Sequence, residues 1–519
     1  MGCRVWMAAL VALSAGCSWN EAAYRASAER TISQILSSKQ YEAVDRWQQS
    51  AITPAPEKPP PAAPAPAVGK PQVFFLRDAL RTATRHNRDF KSELESLELS
   101  ALAASLQRRN FGPILSNTIS YAFSNSPTAT ATGTLSAEIG VSKILPSGGT
   151  VEATSSGSVA DPFEDGGPTT YGHDISISFD QPLLRGFGRE VAYEDLTQAE
   201  RDVVYALRDF ELFRQDFSLR VLRRYYDILR QKQVVENSRR TLERFTFLKK
   251  RSEALFEVEK VSAIDKFRAA QEELTARNDL ITEQEALAAL LDEFKILLGI
   301  PTATRIDVAD DKPAMRPVNI DLRSAIAAAI HNRLDLKTSA EQLEDAERNV
   351  RIARNGLLPE LDLSASLGFD GAKAGGDRMS YAGSQSIELS LTLPLDKVAD
   401  RNAYKQARIT RSRRERALSL ARASVRVDVL NTYRRLRRLA NSVSIQDQNV
   451  KLAERRVKNA QLRFELGQLG NRDVVEAESA KLRAQNAHIR AILDHEVARL
   501  QLKRDIGILF IDQDGAWKE

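Results

Sequence analysis

The sequence predicts a mainly α-helical chain that also carries a membrane-type β-sheet and contains the same unit twice. Three observations predict this fold class. Two helical stretches run for 68 and 73 residues, from Gly188 to Phe256 and from Pro394 to Gly467. Several shorter segments alternate strictly between apolar and polar residues, and a segment near the start of the body recurs 246 residues later.

The N-terminus predicts secretion followed by lipid attachment. Arg4 precedes a short apolar run, Val5 to Leu13, which has the layout of a secretory signal and is too short to span a bilayer. Cleavage after residue 16 would leave Cys17 at the new N-terminus, and the segment Ser14-Ala15-Gly16-Cys17 resembles a bacterial lipoprotein box. The favoured leucine sits one residue early, at Leu13. We expect acylation of Cys17 by fatty acids such as palmitate; the alternative is an ordinary secreted protein.

Residues 17–72 are expected to be a lipid-anchored segment that ends in a linker, because residues 54–71 hold eight prolines among alanines. The chain has 74 Lys and Arg against 69 Asp and Glu, and these charges are interspersed as on long solvated helices. The arginine clusters at 411–414 and 434–438 are therefore interpreted as solvated helix faces, and no nucleic-acid partner is expected. No apolar stretch of 18 residues follows the signal, so a membrane role must come from strands.

The internal repeat sets the domain boundaries. The segment that begins at Leu76 recurs at Leu322, and the same offset relates Pro113 to Pro359. We expect a first repeat at 73–300 with strands within 114–183, a linker at 301–318, a second repeat at 319–511 with strands within 360–394, and a tail at 512–519. Each repeat is predicted to run helix, strands, long helical hairpin.

Alternating segments follow each repeated proline. In the second copy one face is apolar and the other carries acids and hydroxyls: Leu361, Leu363, Ala365, Leu367 and Phe369 against Asp362, Ser364, Ser366 and Asp370. A similar segment covers 386–393, and the first copy alternates at 115–124 and 174–180. This pattern is typical of membrane-barrel strands, although the edge of a soluble β-sandwich would also alternate.

The first copy holds 34 extra residues in its strand region. The leading prolines differ by 246, whereas the trailing ones, Pro182 and Pro394, differ by only 212. The extra region alternates weakly around a turn at 146–149, so we predict one additional hairpin, six strands per chain and eighteen in a trimer. The alternative is twelve barrel strands, with residues 134–158 projecting outside as an extracellular hairpin.

Helix lengths predict antiparallel pairing. Each long stretch is about 100–110 Å at the helical rise, and the returning stretches are about half as long. Each long helix can therefore run beside two shorter helices placed end to end. In the last long helix a seven-residue repeat indicates coiled-coil packing, with Leu436, Val443, Val450, Val457 and Phe464 at the repeated position.

With this order of elements, residues 73–511 resemble the outer-membrane efflux protein family typified by TolC. The resemblance rests on the order helix, Pro-led strand, returning strand with Gln181-Pro182-Leu183-Leu184 or Leu393-Pro394-Leu395, long helix and tip. It implies a trimer in which long antiparallel helical hairpins form a periplasmic tunnel, capped by strands that contribute to one β-barrel. It also implies a position in the outer membrane of a Gram-negative bacterium, where Cys17 would carry the lipid anchor, with a periplasmic adaptor and an inner-membrane pump as partners.

The resemblance also assigns candidate site residues. Asp473 and Glu476 match the family's acidic pair at the periplasmic constriction, and Asp265 takes the corresponding place after the first tip; the alternative is that these acids only favour the helix dipole. The tips resemble the family's adaptor-contact ends, although Glu259 replaces the first tip's glycine. The candidate contact residues are Phe256, Val258, Phe464, Gly467, Gly470 and Arg472.

Catalysis is not expected. The five histidines are scattered, and the sequence has neither a Gly-rich phosphate loop nor a nucleophile elbow, so no catalytic residue, metal or cofactor is assigned. The expected function is a passive outer-membrane conduit of a tripartite efflux or type I secretion system. The remaining alternative is a periplasmic coiled-coil scaffold lipoprotein without channel activity.

Overall fold

The computed structural model describes residues 21–43, 71–126, 129–163, 167–259, 261–311, 313, 315, 320–375, 378–466, 468–512 and 514–517. Cys17, the proline-rich linker and Gly467 lie outside these residues. The described chain is mostly helical and divides into two compact units. Unit one comprises residues 1–43, 96–207 and 339–417, and unit two comprises 44–95, 208–338 and 418–519.

The described residues form ten helices and eight strands, and two of the strands are short and were not predicted. In chain order, the elements are α1 (Glu21–Ala43), β1 (Gln72–Phe74), α2 (Leu76–His86), α3 (Arg88–Asn110), β2 (Ile114–Ser126), β3 (Ala129–Ile144), β4 (Thr150–Pro162), β5 (Thr170–Pro182), α4 (Arg189–Ala192), α5 (Glu194–Glu257), α6 (Ala263–Leu298), β6 (Ile306–Val308), α7 (Leu322–Asn332), α8 (Leu334–Asn355), β7 (Glu360–Ala374), β8 (Ser380–Thr392), α9 (Val398–Glu465) and α10 (Asn471–Ile506).

The helices before each strand region depart from the prediction. Each was expected as one continuous helix, but the chain breaks at Asn87 and again at Arg333, both of which have extended backbone. Asn87 separates α2 from α3 because its side chain makes two hydrogen bonds, one as a donor and one as an acceptor. Its Nδ2 donates to the carbonyl of Leu297 at 2.9 Å, and its Oδ1 accepts from the N–H of Phe90 at 2.9 Å, which caps the start of α3.

Unit one contains a six-stranded antiparallel sheet in the order β2-β3-β4-β5-β7-β8. The helix α1 packs within the same unit, with Ile32, Ile35 and Leu36 buried. Its Lys39 forms an ion pair of 3.3 Å with Glu200, which Arg108 also contacts at 2.9 Å. The helix α1 therefore packs against other parts of unit one.

Unit two holds the largest hydrophobic core. Phe217, Leu222, Tyr225 and Phe294 are buried there together with the parallel pair β1 and β6. The helix α6 ends at Gly299, whose backbone is left-handed with φ 71°, and a side chain there would collide with the carbonyl of His86. Within the described residues, no helix is both long enough and apolar enough to cross a membrane.

Candidate functional site

The six-stranded sheet largely separates polar from apolar side chains by residue parity, although Ile114 and Ile144 are even-numbered and Lys143 and Gln385 are odd-numbered. Paired residues share parity in all five strand pairs, for example Thr118 with Glu138 and Asp174 with Asp370, except at a register shift where Ser126 pairs with Ala129. The even-numbered positions carry hydroxyls, eight Asp and Glu, and no Lys, Arg or His. The odd-numbered positions carry the large apolar side chains, many of them exposed, including Ile119, Tyr121, Phe123, Ile177, Phe369, Ile387, Leu389 and Leu391.

Hydrogen bonds between hydroxyl groups cross the even-numbered face. Ser120 lies 2.7 Å from Ser136, and Ser366 lies 2.8 Å from Ser386, each pair measured between Oγ atoms. One cross-strand row brings Glu138, Asp174 and Asp370 to the same level of the sheet. The face is therefore hydrophilic, and all of its acids lie between this row and the end of the sheet that joins the helices.

Two edges of this sheet are open. In the described residues β2 pairs only with β3, and β8 pairs only with β7. Unpaired N–H and C=O groups along an edge strand are a template for pairing with another strand. Since the apolar face of β8 is also exposed, with Ile387 at 82% of its accessible surface, an isolated chain leaves this sheet incomplete.

The extra hairpin of the first copy belongs to the sheet. The strands β3 and β4 pair with each other over residues 132–144 and 150–162, β3 pairs with β2, and β4 pairs with β5. Residues 134–158 therefore occupy the middle of the sheet. The prediction of six strands in one sheet is confirmed, and the alternative of a detached hairpin is wrong.

Exposed apolar side chains also form stripes on the helices. On α6 they lie at Ile264, Phe267, Leu274 and Ile281, mostly seven residues apart. The helix α9 buries Leu436, Val443, Val457 and Phe464 and exposes a second stripe with Leu420, Val427, Ile445 and Leu452. A spacing of seven is typical of coiled-coil packing, so these helices present further seams that this chain does not cover by itself.

The first helix tip exposes its predicted contact residues. Phe256 and Val258 are exposed, and the Nζ of Lys266 lies 4.9 Å from the centre of the Phe256 ring. Glu259 has φ 58° and is the only non-glycine residue of positive φ in the described chain. The departure from glycine noted in the sequence therefore falls on a left-handed position, where a side chain is strained.

Asp265 lies at the start of α6. Its backbone N–H donates to the Oγ of Ser262 at 3.2 Å, and that hydroxyl donates to the carboxylate of Asp265 at 2.7 Å. This reciprocal arrangement caps the helix. Asp265 thus has a local structural role at the start of α6.

The second tip divides its predicted residues between surface and core. Gly470 and Arg472 are exposed, whereas the Phe464 ring is only 7% exposed and lies beneath the guanidinium of Arg251 at 5.6 Å. A buried ring cannot contact a partner directly. We therefore assign Phe464 to the packing that supports the tip.

The two predicted aperture acids are exposed just beyond this tip. Asp473 is in the first turn of α10, and Glu476 forms an ion pair of 2.6 Å with Arg456 on α9. The hydrogen bond and charge of Arg456 hold the pKa of the Glu476 carboxyl below its usual value. Glu476 is therefore a compensated charge in this conformation.

Sequence reasoning missed two buried polar residues beside these acids. Asn471 is 1% exposed, and its Nδ2 lies 3.3 Å from both the Oγ of Ser252 and the carbonyl of Asp265, so it ties the start of α10 to the first hairpin. Glu478 is 3% exposed and accepts from Arg244 and from Gln461. Nothing in the sequence separates Glu478 from the many exposed acids of this helix.

Three comparisons place this geometry among known proteins. Residues 325–507 match the family described as outer membrane efflux protein. Nodulation protein T of Rhizobium leguminosarum bv. trifolii is 26% identical over 186 residues, which cover 34% of this chain and 40% of that protein. Outer membrane protein TolC of Escherichia coli (strain K12) is 25% identical over 251 residues, 46% of this chain and 49% of that protein.

The chain spans less than half the length of these two curated relatives. Among solved structures, the outer membrane protein VceC of Vibrio cholerae is similar with a TM-score of 0.63 and 16% identity, over 83% of this chain and 96% of VceC. The likeness in fold therefore extends well beyond the likeness in sequence. The resemblance to the TolC-like outer membrane efflux proteins and the prediction of a mainly helical chain with an antiparallel sheet are confirmed, whereas the internal repeat and the closure of a barrel stay predictions.

Proposed function

We propose that this chain, which shares sequence with the outer membrane efflux proteins over residues 325–507 and their fold over most of its length, is the outer-membrane channel subunit of a tripartite efflux or type I secretion system. The observation that carries the proposal is the six-stranded sheet with one acidic, hydroxyl-rich face, one exposed apolar face and two open edges. A passive conduit across the outer membrane needs each of these features.

Closure of the sheet would satisfy all three. Strands from three copies would give eighteen, and pairing of β8 of one copy with β2 of the next would remove every edge. The apolar odd-numbered residues would then contact lipid, and the acidic face would line a water-filled lumen, as in outer-membrane barrels. The exposed stripes on α6 and α9 support the same trimer, since neighbouring subunits could cover them.

We also propose where the helical hairpins lie and which proteins their tips contact. The helical hairpins would extend into the periplasm, and their tips, with Phe256, Val258, Gly470 and Arg472 near the surface, would meet a periplasmic adaptor and through it an inner-membrane pump. Gly467, which lies outside the described residues, is proposed as a further contact residue. Asp473, Glu476 and Asp265 would surround the periplasmic aperture. The two repeats, 73–300 and 319–511, would each supply one hairpin to this tunnel.

Attachment at Cys17 is part of the same proposal. Cys17→Ala is expected to abolish incorporation of labelled fatty acid while leaving the trimer intact on a native gel. Cys3→Ala is the matched control, because that residue lies inside the predicted signal, and its label should persist. Label retained by Cys17→Ala would overturn the anchor without touching the channel.

Channel activity is tested by extraction and conductance. A barrel should leave membranes only with detergent and should give discrete conductance steps in a planar bilayer, whereas a periplasmic scaffold would lack them. To separate anchoring from spanning, both measurements should also be made on Cys17→Ala. Salt extraction of that variant without conductance would favour the scaffold.

A further inference from the structure

The end of the sheet that joins the helices carries a strong excess of positive charge. Four segments connect strands to helices there: 107–113, 183–192, 351–360 and 393–408. Together they hold ten Lys and Arg against four Asp and Glu. We call these four segments the collar. By contrast, the even-numbered face of the adjoining sheet has no Lys, Arg or His.

Contacts show that three of these segments lie side by side. Arg185 reaches Glu360 at 3.2 Å and Asp400 at 3.5 Å, and Arg351 pairs with Glu190. These pairs occupy three of the four collar acids.

The fourth acid is also engaged. The carboxylate of Asp396 accepts from the N–H of Val398 at 2.9 Å. Every collar acid therefore has a partner, three of them in ion pairs and Asp396 with a backbone N–H.

Seven collar cations have no ion pair in the described chain, and all of them are exposed: Arg109, Arg189, Arg354, Lys397, Arg401, Lys405 and Arg408. Three of them lie in the first three turns of α9. At the helical rise, Arg401 and Arg408 lie about 5 and about 15 Å from the start of that helix. The nearest of these charges therefore lie close to the end of the sheet.

Exposed apolar side chains lie beside these cations. Leu393 and Leu395 continue the odd-numbered apolar face of β8 into the collar and are 61% and 101% exposed. Phe187 and Leu358 add 50% and 40% exposed side chains from two other collar segments. An apolar band that passes directly into arginine and lysine is the arrangement expected where hydrocarbon gives way to lipid headgroups.

We infer that the collar binds the phosphate groups of anionic phospholipids in the membrane leaflet on the helix side of the sheet. This inference rests on the proposed membrane-spanning role of the sheet and adds the class of lipid. The apolar side chains would enter the acyl boundary, while Arg401 remains within about one Debye length of the charged surface, and Lys405 and Arg408 follow about one and about two turns farther along α9. Binding of this kind weakens as salt rises.

The test uses the full-length protein and vesicles of phosphatidylcholine with or without phosphatidylglycerol. The native chain should insert into the anionic vesicles in preference to the neutral ones, and high salt should diminish the preference. In Arg401→Gln/Lys405→Gln/Arg408→Gln that preference should fall by about tenfold. Trimer formation on a native gel checks that the variant still folds.

The matched control is Arg422→Gln/Arg426→Gln/Arg437→Gln on the same helix. It removes the same charge from exposed arginines that also have no ion pair in the described chain, but at least about 21 Å farther from the sheet than Arg408. This control should keep the native preference, and so should the conservative variant Arg401→Lys/Arg408→Lys.

The possible outcomes distinguish a failure of the lipid site from a failure of the proposed membrane channel. Equal insertion of the native chain into both kinds of vesicle, or an equal loss of preference in the collar variant and its control, overturns the collar as a lipid site. Failure of the native trimer to insert into either vesicle would overturn the proposed membrane channel itself.

Discussion

Ser147 and Gln181 are joined by two hydrogen bonds. The Oγ of Ser147 lies 2.5 Å from Gln181 Oε1, and Gln181 Nε2 donates to the carbonyl of Ser147 at 3.2 Å. Gln181 is 8% exposed, so this contact is largely shielded from water. It fastens the turn between β3 and β4 to the end of β5. The N–H of Gly188 also donates to the Ser147 carbonyl, at 2.9 Å. The extra hairpin is thus held by its turn as well as by its strand ladder.

Gly148 tests this attachment. Its φ is 94°, and a Cβ there would collide with the carbonyl of Gly186. Gly148→Ala is therefore expected to destabilise the chain by at least about 2 kcal/mol, through left-handed strain and displacement of the turn. Thermal unfolding of the purified trimer would measure the loss. Gly157→Ala in β4 is the control, because a Cβ there has no atom within 4 Å. Equal unfolding midpoints for the two variants would show that the turn is not fixed by this contact.

Replacing Glu259 by glycine is expected to increase stability, in contrast to the replacement of Gly148. A left-handed residue other than glycine costs about 1–2 kcal/mol, which the greater freedom of glycine in the unfolded chain partly offsets. Glu259→Gly should therefore stabilise the tip by roughly 1 kcal/mol and slow hydrogen exchange of its amides.

The control for this tip experiment is Glu257→Gly. Glu257 is also exposed but lies at the helical end of α5, so its replacement by glycine should speed exchange. Faster exchange in Glu259→Gly would contradict the strain assigned to this position.

The burial of His495 predicts that the stability of the folded chain depends on pH. This side chain is 3% exposed, and burial, reinforced by the charge of Arg499 and opposed by that of Glu496, lowers its pKa. As pH falls, the unfolded chain therefore binds this proton first, near pH 6.5, while folded His495 stays neutral. The contribution of His495 is present above about pH 6.5 and is lost as pH falls towards the folded pKa.

A pH series of thermal unfolding would detect this effect. His495→Gln should flatten the decline below about pH 6.5. His331→Gln, at the exposed end of α7, should follow the native profile. A native slope in His495→Gln would assign the acid sensitivity to other groups.

The sequence allowed the fold class and the six strands to be predicted because alternation and helical periodicity are local patterns. The turn around Gly148 could likewise be located from its Pro-Ser-Gly-Gly run. The breaks at Asn87 and Arg333 could not be found in this way, since Asn87 ends its helix through a bond to Leu297, more than 200 residues away.

At the candidate site, too, features that depend on tertiary packing could not be predicted from local sequence patterns. The exposure of Phe256 and the burial of Phe464 depend on how the two hairpins pack, although both residues occupy the same motif position. The pairing of Glu476 with Arg456 joins two helices across a tip and leaves no local signature in the sequence. Motif position therefore located the tips, and tertiary packing decided which of their side chains are available.

The aperture acids give the last prediction. If Asp473 and Glu476 surround the periplasmic mouth, threefold symmetry would bring six carboxylates together, and such rings favour cations. Asp473→Ala/Glu476→Ala should therefore reduce cation selectivity and relieve divalent-cation block in single-channel recordings.

The ion pair between Arg456 and Glu476 predicts the opposite change when Arg456 is removed, because Arg456 compensates the charge of Glu476. Arg456→Gln should uncover that carboxylate and increase both properties. Arg434→Gln, which removes an exposed arginine 22 residues earlier on the same helix, controls for the change in net charge. Unchanged conductance, selectivity and block in the double alanine variant would instead leave Asp473 as a charge at a helix N-terminus, where the dipole alone makes it favourable.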